Sequence, residues 1–241
     1  MGRTRVPITR DTNTADWTQS DPGALLRLLQ LVSPALPVGA YAYSQGLEYA
    51  VHAGWIFDEA TTHEWLRGLA QRTLGTLDLP ILARLHAAWM NRDSAAVEHW
   101  NLRLIAARDT AELRAEERQL GHALARVLQE LQVIETDRWL QRDTAFATLF
   151  SLAAARWHIP ATAMLTGYLW AWSENEVLAA VKLVPLGQSA GQRVLGQLIG
   201  AIPTIVTRAQ ALTDADIGLG AWAQGFASAL HETQYSRLFR S

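Results

Sequence analysis

Along most of this chain, apolar residues return at spacings of three and four, and no stretch alternates apolar and polar over the length of a strand. That spacing admits helices and little else, because a half-buried strand needs a period of two. The clearest case runs from Asp109 to Leu131, where Leu113, Leu120, Leu124, Val127, Leu128 and Leu131 fall on one stripe. Asp109 followed by Glu112 reads as a capping box at its start. The opposite face, with Arg114, Glu116, Glu117 and Arg118, reads as a solvated surface of mixed ion pairs.

Further helices are expected over 24–33, 44–53, 59–76, 79–91, 94–107, 143–157, 161–184, 189–210 and 214–231. Asp58, Asp93 and Thr213 stand at N-cap positions, and Pro34, Pro80, Pro160, Pro185 and Pro203 mark first turns, stops or kinks. With 241 residues and 49% hydrophobic positions the chain can bury a sizeable core. The fold class is therefore all-α, a single-domain multi-helix bundle of about ten helices. Residues 1–22, polar with scattered Thr and Asp, read as a flexible N-terminal tail. Residues 23–230 are expected to form the all-α helical domain, and 231–241 a C-terminal partner-docking segment.

The chemistry open to such a chain is narrow. It has no cysteine, so disulfides, thiolate metal sites and cysteine nucleophiles are out of reach, as fits a reducing cytoplasm. A formal charge of −2 without any Lys/Arg-rich run argues against nucleic acid. The longest uncharged apolar runs, Ile159 to Trp172 and Val194 to Val206, fall short of the roughly 20 residues of a membrane span. The opening MGRTRVPITR lacks the apolar run of a secretory signal. No phosphate loop, nucleophile elbow or zincin motif occurs, and HETQY from His231 has Tyr235 where a second histidine ligand belongs. Gly187, Gly191, Gly196 and Gly200 read as close helix packing. Glu48 and His52 share a helical face, but one such pair completes no coordination sphere, so neither metal nor cofactor is expected. Most of the ten tryptophans are expected in the core or between helices.

Three stretches exceed what a plain bundle needs. SPALPVGAYAYSQGLE, from Ser33 to Glu48, is either a turn whose tyrosines cap the core or a shaped loop presenting Tyr41 or Tyr43 to a partner. HETQYSRLFRS mixes Tyr235, Leu238 and Phe239 with Arg237 and Arg240, the composition of a segment that docks on a partner or on its own body. AAVKLVPLGQ holds Lys182, the only lysine beside twenty arginines. In the last turn of a helix ending before Pro185 it is favoured by the helix dipole, yet the nearest same-side acid, Glu174, is two turns away. Its partner must come from elsewhere.

These stretches, with ARDTAELRAEERQLGHALARVL in the middle, resemble in order and spacing the motifs of the UreF family of urease accessory proteins, from about Leu25 to Ser241. The resemblance implies a cytoplasmic, all-α, homodimeric protein that is not an enzyme. It would act as scaffold and chaperone, joining a UreD/UreH-type protein to the GTPase UreG for GTP-dependent insertion of nickel into apo-urease. Tyr41 matches the tyrosine of the family's P-I/V-G-x-Y loop, Lys182 the lysine of its V-K-x-V-P motif, and Arg237 the arginine of its Y-S-R-L terminus. By the same resemblance Gly39, Tyr41, Lys182, His231, Glu232, Tyr235, Arg237, Leu238 and Phe239 are the expected partner-interface residues. The alternatives are a helical adaptor or a small-molecule enzyme unrelated to nickel, the latter using Glu48, His52 and Lys182 as acid–base groups.

Overall fold

A computed structural model describes residues 21–218 and 220–241; the tail expected over 1–22 lies, up to residue 20, outside the described residues. No strand occurs among the described residues. Helix α1 (Pro22–Leu31) opens with proline at its first position, where no N–H is needed, and the Asp21 side chain accepts from the Gly23 N–H. It is followed by α2 (Leu47–His52) and α3 (Glu59–Leu69), the latter started by a capping box between Asp58 and Thr61. Helix α3 does not stop before α4 (Leu79–Met90). A π-helical segment, Ala70–Asp78, joins them, and its wider turn accommodates Pro80, which has no N–H to give. Asp93 caps α5 (Ser94–Ala106), and then come α6 (Ala111–Glu130), α7 (Phe146–Arg156), α8 (Ala161–Leu183), α9 (Gln188–Ala211) and α10 (Trp222–His231).

Helix α7 is apolar almost all round, and every residue from Ala147 to Ala155 is buried, so it forms the centre of the main core. Leu82 and Leu85 of α4, Leu124 and Leu128 of α6, and Met164, Leu165 and Leu169 of α8 pack in the same cluster. Helix α6 comes so close to the start of α7 that a Cβ on Gly121 would stand 2.0 Å from the Thr144 carbonyl oxygen. A smaller second cluster joins Leu47 and Ala50 of α2, Ala179, Ala180 and Val184 at the end of α8, Ala227 of α10, and Phe239. Through it the last residues of the chain become part of the fold. Among the tryptophans, Trp89, Trp100 and Trp139 are buried, whereas Trp55 and Trp222 are exposed.

Several local expectations need correction. The last helix begins at Trp222, not 214: Asp214–Asp216 is a single 3-10 turn, in which Asp214 pairs with Arg84 and Asp216 accepts from Thr213. The expected 44–53 helix begins at Leu47, because Gln45 and Gly46 take positive φ. Thr110, not Asp109, caps α6, its hydroxyl accepting from the Leu113 N–H. Glu116 and Glu117 are not solvated. Both are buried, and Glu117 accepts from Arg108, itself paired with buried Asp78, and from the Phe146 N–H. Of the spaced glycines only Gly191 is held by packing, since a Cβ there would meet Val181 at 2.7 Å; Gly187, Gly196 and Gly200 have open space.

Candidate partner interface around the chain terminus

Three helix ends converge beneath the C-terminal segment. Glu48 stands in the first turn of α2, Glu112 in the first turn of α6, and His231 at the last position of α10. Gly46 makes the first placement possible: at φ 87° it turns the chain into α2, and a Cβ there would lie 3.0 Å from the Ser228 nitrogen. His231 is fully buried, with Nδ1 2.8 Å from Glu112 Oε2 and Nε2 3.3 Å from Glu48 Oε2.

The terminal segment closes over this cluster. The Leu238 and Phe239 N–H groups donate to Glu48 at 2.7 and 2.8 Å, and Arg237 donates to Glu112 at 2.8 Å. The Arg240 N–H reaches the Ala42 carbonyl, and the Ser44 N–H reaches the Ser241 main-chain oxygen, so the tail is stitched to the loop that carries Gly39 and Tyr41. Glu232 accepts from the Ala111 and Glu112 N–H groups, supplying from the far end of the chain a negative charge at the start of α6. Phe239 is buried, and above its ring stands Lys182, Nζ 5.6 Å from the centroid. That aromatic face is the contact Lys182 lacked in its own helix.

The expected interface residues thus fall into two groups. His231, Arg237 and Phe239 are tied into the chain's own body, with Glu232 capping α6. Tyr41, Tyr235 and Leu238 project outward, and Gly39, at φ 82°, turns the loop beside Tyr41. Tyr41 and Arg240 border one open groove of about 320 Å³. Glu48 is buried with both oxygens engaged by the tail, while His52 is exposed, so the two do not share a site.

Sequence reasoning missed Glu48, Glu112 and Glu116 as members of this surface. Glu116 accepts from Gln45 Nε2 at 2.7 Å and from Ser241 Oγ at 2.8 Å, and burial pushes its carboxyl up to about 7. Behind it, Glu176 is fully buried with neither oxygen hydrogen-bonded; burial first, and the charge of Glu116 second, push its carboxyl well above the ordinary value. A signal for Glu116 was present, since it lies three residues after Leu113 and four before Leu120, inside the apolar stripe.

The geometry is that of a self-docked terminus with an exposed aromatic and aliphatic outer face. The UreF family model matches residues 56–199. The chain is 50% identical over 226 residues to the urease accessory protein UreF of Alkalilimnicola ehrlichii, covering 93% of this chain and 99% of that protein. It is 46% identical over 220 residues to the urease accessory protein UreF of Hahella chejuensis, covering 91% and 99% respectively.

Proposed function

The chain belongs to the UreF family of urease accessory proteins, and from that premise we propose that it serves urease maturation as a dimeric, non-catalytic scaffold and chaperone. It holds a UreD/UreH-type protein next to the GTPase UreG in the cytoplasm, so that nickel, the cargo, enters apo-urease in a GTP-dependent step. The observation that carries this reading is the terminal segment: pinned through Glu48 and Glu112, it turns Tyr235 and Leu238 outward beside the Tyr41 loop. Outward aromatic and aliphatic anchors on a fixed backbone suit binding, because little side-chain and chain entropy is lost on association. The polar groups beneath them are engaged with one another and with main-chain N–H groups, which suits holding a segment in place.

The test is deletion of the chain from a host carrying a urease cluster, followed by urease activity and nickel analysis of the purified urease. The expected result is nickel-poor, inactive urease, restored by the chain in trans. Full activity and nickel content without it would overturn the proposal.

A further inference from the structure

Away from the terminal surface, a groove of about 520 Å³ runs between α3 with its π-helical continuation and α9. Helix α3 contributes His63 and Arg67, α9 contributes Arg208, and no carboxylate lines it. Glu64, between His63 and Arg67 on α3, is exposed and does not line the groove, while Glu59 and Asp214, beyond its two ends, pair with Arg193 and Arg84. The guanidinium groups of Arg67 and Arg208 make no ion pair or hydrogen bond with a described residue, so two cationic groups border the groove without a fixed partner there. Gln71 and Gln197 add amide groups able to pair with a peptide backbone.

Two further features leave this space open. The wall at Gln71 and Gly75 is π-helical, a local irregularity that recurs at functional sites. Gly200 on the opposite wall sits inside α9, where glycine costs about 1 kcal/mol relative to alanine, yet a Cβ there would meet nothing within 4 Å. Packing within the chain does not require that glycine. From Gln197 to Arg208 the α9 wall is about 16 Å long, the length of about five extended residues.

We propose that this groove receives an extended acidic segment of a protein partner, its carboxylates paired with Arg67 and Arg208. The assignment does not depend on the urease reading. A net charge of −2 and a cationic stretch this short favour an acidic peptide over nucleic acid.

The probe is a fluorescein-labelled hexaglutamate peptide titrated with the full chain and read by fluorescence anisotropy at low and physiological salt. Saturable binding that weakens with salt, and that falls about tenfold or more in the Arg67→Ala/Arg208→Ala variant, is expected. Gly200→Glu places a carboxylate in the open space and favours the helix, so it should abolish binding while circular dichroism and melting temperature hold. Arg126→Ala, on α6, should change nothing. Absence of saturable binding, insensitivity to both groove variants, displacement by micromolar inorganic phosphate, or tighter binding of hexathymidylate would each overturn the proposal.

Discussion

Lys182 and Phe239, fifty-seven positions apart in sequence, meet with the ammonium nitrogen 5.6 Å from the ring centroid. The lysine is exposed at the end of α8 and the phenylalanine is buried in the second core, so the cation lies over the seam between the tail and the body.

Replacing Lys182 with alanine should therefore loosen the tail without disturbing the helices. The cation–π contact is worth about 0.5–1 kcal/mol at an exposed position. Amide hydrogen exchange at Leu238 and Phe239 should quicken roughly two- to fivefold, with the far-ultraviolet spectrum unchanged. Lys182→Arg should restore protection.

Glu48 has a larger effect, because it takes two tail N–H groups and faces His231. Glu48→Ala leaves these buried donors without an acceptor, at about 1–3 kcal/mol for each orphaned group. Urea unfolding should show a loss of about 3 kcal/mol or more, and limited proteolysis should cut after Arg237. Glu48→Gln, which keeps one acceptor oxygen, should lose less.

Stability should also fall as pH rises toward neutrality. The Glu116 carboxyl is held up at about 7 by burial, so the folded state binds its proton more tightly than the unfolded chain does. That contribution is fully present below the unfolded value near 4.5 and is lost as pH passes through about 7. It is of the order of 3 kcal/mol. Glu176, raised in the same direction, adds to the trend. Between pH 5 and 8 the unfolding free energy of the wild type should decline more steeply than that of Glu116→Gln.

Tyr235 and Leu238 separate binding from folding. Both side chains are exposed, so Tyr235→Ala and Leu238→Ala should leave the melting temperature within about 1–2 °C of the wild type. Capture of a UreD/UreH-type protein on immobilised chain should weaken by about tenfold or more for each, the loss typical of an interface anchor.

Much of the fold was legible because helix formation is decided within a few residues. Apolar spacing located the long helices, and Asp58 and Asp93 were readable as caps because each bonds an N–H three positions ahead. The start of α6 was misread in part for the opposite reason. Thr110 bonds the Leu113 N–H by the same local pattern, next to an Asp109 that offers the same reading, and the rest of the cap comes from Glu232, more than a hundred residues away. The same held for Glu116 and Glu117, whose arginine neighbours suggest a surface until α7, the tail and Arg108 cover them.

The sequence alone determined an all-α chain, the boundaries of most of its helices and the place of Lys182 in a helix-terminal turn, since each depends on local spacing and capping. Only the tertiary structure decided which charges leave water and where the terminus lies. Glu48, Glu112 and His231 come from three separate helix ends. Burial of such groups is tolerated only when their partners arrive together, and no local pattern specifies that meeting.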